Sequence, residues 1–175
     1  EKSVVSAKVD QLAKIIHERK EISGEATGFY RTDIPEEIRD LWNLRKKGVG
    51  LLGNTKGRRK PIPFVEDTAV PPENLAAYIR EFRDLLESFG LEYAMFGHVD
   101  VGCLHVRPAL DLKTTEDEEI VRKISDGVCR LVRKYGGVMW AEHGRGFRTE
   151  YTEEHFGSEL YQELRKIKQV FDPYN

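Results

Sequence analysis

The segment from Glu92 to Arg107 constrains the fold most, because two strand-like stretches are separated only by Asp100-Val101-Gly102-Cys103. Turn residues between two strand patterns specify a β-hairpin, and a hairpin fixes which side chains share a sheet face. Val99, Leu104 and Val106 mark the strands. With Val99 opposite Leu104, His98 pairs with His105, and directly opposed Cβ atoms lie about 4.5–5.5 Å apart on one face. Two imidazoles at that spacing are able to grip one metal ion. Arg107 falls on the same face, and a third histidine follows an acid in Ala141-Glu142-His143-Gly144-Arg145-Gly146.

Around the hairpin the periodicities predict a regular order of elements. Ile62 to Asp67 reads as a strand, and Pro71-Pro72 leads into a helix with Leu75, Ile79, Phe82, Leu86 and Phe89 inward and Gly90 at its end. After the hairpin, Thr115-x-x-Glu118 has the form of a capping box for a helix carrying Ile120, Ile124, Val128 and Leu131, stopped by Gly136-Gly137. Val138 to Ala141 forms a fourth strand. Residues 62–142 therefore read βαββαβ, a ferredoxin-like antiparallel sheet with helices on one face, within an α+β fold. The uncovered face would carry Phe96, His98, His105 and Arg107.

Helices flank this core. Val9, Leu12, Ala13 and Ile16 form an amphipathic stripe that stops near Glu21-Ile22-Ser23-Gly24, and Ile34-Pro35-Glu36-Glu37 opens a second helix ending at Gly48 and Gly50. Arg45 to Lys60 holds seven basic residues, no acid and four glycines, a mobile basic loop. Thr152 opens a last helix with Phe156, Leu160, Leu164 and Ile167 inward. The whole chain reads as one domain, with residues 1–60 a helical lead-in and basic loop, 61–142 the core, and 143–175 a glycine turn and C-terminal helix.

Composition excludes several classes. A net charge of −2 from 28 basic and 30 acidic residues gives no pull towards nucleic acid, and the sheet face carries histidines where an RNA-binding sheet carries an aromatic pair. No run of apolar residues is long enough to span a membrane, and residues 1–5 lack signal-peptide anatomy, so the cytoplasm is the expected location, with peripheral membrane association of a full-length protein left open. Cys103 and Cys129 form no Cys-x-x-Cys pair and read as free thiols.

The hairpin resembles the His-x-Gly-Asp-Gly-Asn-Leu-His motif of the C-terminal domain of FAD-linked oxidases, the group that contains D-lactate, glycolate and D-2-hydroxyglutarate dehydrogenases. Tyr135-Gly136-Gly137 followed by Glu142-His143-Gly144-x-Gly146, and the ending Val170-Phe171-Asp172-Pro173-Tyr174-Asn175, fit the same family. The sequence departs from it at the turn, where Asp100-Val101-Gly102-Cys103 replaces Gly-Asp-Gly-Asn, and Arg107 stands where the dehydrogenases often have Asn. Phe64-Val65-Glu66-Asp67-Thr68-Ala69-Val70-Pro71 and Glu163-Leu164-Arg165-Lys166-Ile167-Lys168 resemble the large members with an iron–sulfur module downstream.

The resemblance implies a substrate-binding domain of an FAD-dependent D-2-hydroxyacid dehydrogenase, with hydride passing to FAD on a flavin-binding domain of the same polypeptide. No Rossmann fingerprint or phosphate-cradling loop occurs here, so the chain by itself is expected to hold no FAD and to be inactive. By the same resemblance Glu142 joins His98 and His105 as ligands of zinc or another divalent metal, and His143 is the general base. Imidazole's ordinary pKa of about 6.5 suits that work near neutrality. Arg107, and Arg45 in Leu41-Trp42-x-x-Arg45, are the candidates for the substrate carboxylate, and Arg148 and the Lys56–Lys60 run are weaker ones. The alternative reading is a non-catalytic ferredoxin-like module that binds a metal or ligand for regulation.

Overall fold

The computed structural model describes residues 2–19, 28–52, 56–144 and 146–174. Among them the chain is α+β, with five α-helices and a small antiparallel sheet. It divides into two compact units, Glu1–Val49 and Gly50–Asn175.

In the first unit, α1 (Lys2–Arg19) carries the expected stripe; the stop proposed at Glu21 to Gly24 lies outside the described residues. α2 (Pro35–Leu52) starts with proline at its first position and Glu36 and Glu37 in its first turn, where the exposed N–H groups favour acids. It does not stop at the glycines. Gly48 stays out of the left-handed region that terminates helices, so Arg45 sits on a helix instead of the predicted loop.

The second unit is built on β4 (Cys103–Leu110), which pairs with β3 (Tyr93–His98) along one edge and with β1 (Lys60–Pro61) and β2 (Thr68–Ala69) along the other. The predicted strand 62–67 falls in the gap between β1 and β2. Between Pro61↔Ala109 and Thr68↔Leu104 this edge advances seven residues while β4 advances five, so the chain bulges outward. Two features break the ladder: Pro61 and Pro63 have no N–H to give, and Asp67 turns into the left-handed region at φ 69°. Ile62 and Asp67 still donate to Pro108 and Leu104 carbonyls.

Helices α3 (Leu75–Ser88) and α4 (Thr115–Lys134) cover one face of this sheet. Tyr78, Phe82 and Leu86 from α3 and Ile124, Val128 and Val132 from α4 meet Leu104, Val106 and Leu110 from β4 in one buried cluster. The cap of α4 is Thr114, not Thr115: its hydroxyl accepts from the Asp117 amide at 3.3 Å. The Asp117 carboxylate is engaged elsewhere, by the Asp111 amide and a fork from Arg59. With Arg58 held by Asp111, the basic run is partly ion-paired.

Two further expectations are corrected. The fourth strand, Val138 to Ala141, reduces to a single bridge between Val138 and Ala69, so the βαββαβ order is not reproduced in full. The last helix, α5 (Thr152–Phe171), is kinked at Gly157, which turns to φ 81°, and Phe156, Leu160 and Ile167 remain exposed instead of packing inward.

Candidate functional site

The hairpin turn sets the site. Val99–Val101 make one turn of 3-10 helix and Gly102 closes it at φ 70°, donating its N–H to the Val99 carbonyl. Only glycine fits there, since a Cβ would also lie 1.9 Å from the Val70 carbonyl oxygen. The loop is therefore residues 99–102, and the register is His98↔Cys103 and Phe96↔His105, two residues away from the predicted His98–His105 pair. An offset of two keeps every side chain on its predicted face. His98 and His105 become diagonal neighbours, with ring centroids 5.7 Å apart. Val99, expected in the strand opposite Leu104, is exposed in the turn.

The third contributor arrives from residues 141–144. Glu142 Oε1 lies 3.0 Å from His105 Nε2 and 3.2 Å from His98 Nε2, so all three candidate ligands converge on one oxygen. His143 stacks on His105 with centroids 5.1 Å apart and planes 14° from parallel, while its Nε2 lies 3.6 Å from Glu142 and its Nδ1 3.6 Å from Glu66. His105 is buried, and its Nδ1 has no partner among the described residues; Nε2 is the nitrogen through which it engages the site. Arg107 donates from Nε to Glu66 at 2.7 Å and lies over the Phe96 ring.

Two imidazole nitrogens and a carboxylate oxygen suit zinc, manganese or iron(II) as a divalent ion with positions to spare. Cys103 does not extend that set. Its sulfur is 3.8 Å from His105 Nε2, but burial first, and then the nearby carboxylates of Glu142 and Asp67, push its thiol up to about 11, so it stays protonated near neutrality.

The structure thus gathers His98, His105, Glu142, His143 and Arg107. Arg45 belongs to the first unit, where its guanidinium lies over the Trp42 ring. Arg148 is buried and donates to the Met139 and Gly144 carbonyls at 2.9 and 3.1 Å and to that of Glu66, a structural use rather than a free cation. Glu66 and Asp67 escaped the sequence reading. Two adjacent acids ending an apolar run, Phe64-Val65-Glu66-Asp67, were the available signal, but nothing local says which residues they face.

The family model described as FAD linked oxidases, C-terminal domain, matches residues 3–175. A D-2-hydroxyglutarate dehydrogenase of Pantoea ananatis is 58% identical over 152 residues, 87% of this chain and 15% of that protein. Another of the same name from Pseudomonas putida is 51% identical over 175 residues, 100% of this chain and 17% of that protein. A D-lactate dehydrogenase of Archaeoglobus fulgidus is 32% identical over 120 residues, 69% of this chain and 26% of that protein. The chain spans about one sixth of the length of the first two relatives. Among the described residues, no helix is long and apolar enough to cross a membrane.

Proposed function

The chain belongs to the family of FAD-linked oxidase C-terminal domains, and from that premise we propose that it is the substrate-binding domain of an FAD-dependent D-2-hydroxyacid dehydrogenase. The observation that carries the proposal is the convergence of His98 and His105 on Glu142 with His143 stacked alongside, on the sheet face opposite the helices. Residues 3–175 are taken as one family domain, covering both units.

The reaction class is oxidation of a D-2-hydroxy acid to its 2-oxo acid. His98, His105 and Glu142 would hold a divalent cation, which would supply Lewis acidity at the substrate hydroxyl, and FAD, held by part of the polypeptide outside this chain, would supply the hydride acceptor. His143 takes the hydroxyl proton. Arg107, braced through Nε by Glu66, keeps its two terminal nitrogens for a substrate carboxylate, and Arg45 is the second candidate. The site sits against a sheet whose other face is packed core, which gives these side chains a rigid support. An iron–sulfur module in the same polypeptide and a cytoplasmic location complete the reading. The match to dehydrogenases disfavours a purely regulatory module.

The test uses the full-length protein containing this chain, offered a panel of D- and L-2-hydroxy acids while flavin absorbance is followed. D-2-hydroxyglutarate, the substrate in the names of two relatives, is expected to bleach the flavin, and its L-enantiomer to leave it oxidised. A flavin that no member of the panel reduces would remove the proposal.

A further inference from the structure

We propose that Asp67, backed by Arg148, is the positioning residue of this site: it bends residues 141–143 so that Glu142 and His143, adjacent in sequence, both reach His105. The inference rests on the functional reading above for its catalytic consequence, though not for its geometry.

In a regular strand, adjacent side chains point to opposite faces and adjacent N–H groups point opposite ways. Residues 141–144 do neither. Glu142 meets the edge of the His105 ring at Nε2 while His143 stacks on its plane. The amides of Glu142 and His143 both point at one carboxylate: Glu142 N–H donates to Asp67 Oδ1 at 2.9 Å and His143 N–H to Asp67 Oδ2 at 3.0 Å. The Ala141 N–H donates to the Asp67 carbonyl oxygen at 3.0 Å. Three consecutive amides are therefore held by one residue, 74 positions earlier than the first of them. Paired amides converging on an anion make a concave backbone nest, and here the anion comes from the protein itself.

The backbone of Asp67 is shaped for this. Among the described residues it is the one non-glycine residue at positive φ, 69°, a conformation that aspartate tolerates better than most side chains. Its side chain is fully buried. An unpaired carboxylate there would be costly; Arg148, itself buried, lies 3.5 Å away and donates to the carbonyls of Met139 and Gly144, one at each end of the bent segment.

Asp67 is also close enough to be a metal ligand, since one oxygen of it, His105, Glu142 and His143 can be chosen within 4.8 Å of one another. The hydrogen bonds give it the positioning role whichever ligands an ion takes, because each of its oxygens already accepts a backbone amide, one from Glu142 and one from His143.

The experiment compares the full-length protein with Asp67→Gly, Asp67→Asn and Tyr78→Phe. Glycine accepts φ 69° without strain, so Asp67→Gly removes the carboxylate alone. Asparagine keeps the turn and one accepting oxygen but presents an N–H to the other amide. Tyr78→Phe removes the buried 2.8 Å hydrogen bond from Tyr78 to Thr68, next in the chain, without touching residues 141–143, and serves as the stability control. Hydrogen exchange over 141–143 reads the contact without substrate or metal, and is expected to lose protection at both Glu142 and His143 in Asp67→Gly, at one of the two in Asp67→Asn and at neither in Tyr78→Phe. Zn²⁺ affinity, titrated without substrate, and kcat are each expected to fall about 10–100-fold in Asp67→Gly with KM little changed, the usual loss when a ligand loses its support. Asp67→Asn should fall between Asp67→Gly and the parent, and Tyr78→Phe should lower Tm while leaving kcat and Zn²⁺ affinity alone. Unchanged exchange protection in Asp67→Gly, or an equal kcat loss in Tyr78→Phe, overturns the inference. A parent protein that oxidises no 2-hydroxy acid overturns the functional reading instead, and exchange still decides whether Asp67 holds the segment.

Discussion

On its inner face β4 presents Leu104, Val106 and Leu110 to α3 and α4; on its outer face the same strand presents Cys103, His105 and Arg107. Both faces hold nearly buried residues, His105 at 3% exposure and Val106 at 0%, but different forces hold them. Inward, removal of apolar surface from water suffices, at roughly 25 cal/mol per Å². Outward, polar residues are held by specific partners: His105 has Glu142 at Nε2, Arg107 has Glu66, and Asp67 has two amides and Arg148. The inner face therefore carries stability, and the outer face spends its interactions on orientation.

The largest effect expected of a single change lies on the outer face. His143→Asn in the full-length protein should lower kcat about 10²–10⁴-fold, the loss expected for the general base proposed above, with KM and Tm much less affected because the side chain is half exposed. A normal kcat in this variant would assign the proton to another group. On the inner face the outcomes should reverse. Leu110→Ala removes a buried leucine 1% exposed and should cost about 2–5 kcal/mol by denaturant unfolding while leaving kcat near normal below the melting point. A kcat loss matching that of His143→Asn would mean that the two faces are not separable.

This division also explains what the sequence could reveal. Face parity was legible, because alternation along Cys103-Leu104-His105-Val106-Arg107 places His105 and Arg107 together, and an even offset in the hairpin register leaves His98 on their face. The register was not, because it depends on Gly102 being the loop residue that takes the left-handed conformation next to the Val70 carbonyl. The strand written over 62–67 failed at Asp67 for the same kind of reason, since its turn is stabilised by residues 141–143 and Arg148, which no local pattern announces. In α4 the capping box pointed to Thr115, one residue past the observed cap, and Asp117's attachment to Asp111 and Arg59 accompanies the choice of Thr114. The apolar stripe of α5 was legible as a stripe, but periodicity cannot say what it packs against, and Gly157 interrupts it.

A smaller change on the outer face sharpens the comparison. Arg107→Lys keeps a cation beside Glu66 but loses the planar fork that matches a carboxylate. KM for the hydroxy acid should rise about tenfold, roughly 1.4 kcal/mol, with a lesser change in kcat. If KM does not move, substrate carboxylate binding belongs to Arg45 or to a group outside this chain.

The smallest expected effect is a pH dependence on the inner side, where Cys129 of α4 is buried in the core. Burial first, then the nearby Glu154 carboxylate, push its thiol from 9.0 up to about 11, with Arg133 opposing. The folded state therefore holds the proton more tightly than the unfolded chain. Above pH 9 the unfolded chain ionises first, so this contribution to stability is intact at neutral pH and is lost as pH rises from about 9 towards 11. Between pH 8 and 9.5 the two pKa values correspond to a loss of about 0.8 kcal/mol. Cys129→Ala removes the group, so its unfolding free energy should fall less than the parent's over the same interval, by about that difference, whatever its own baseline cost. Parallel pH profiles for the two proteins would show that Cys129 ionises alike in both states, and the inner side would then not be as dry as its packing implies.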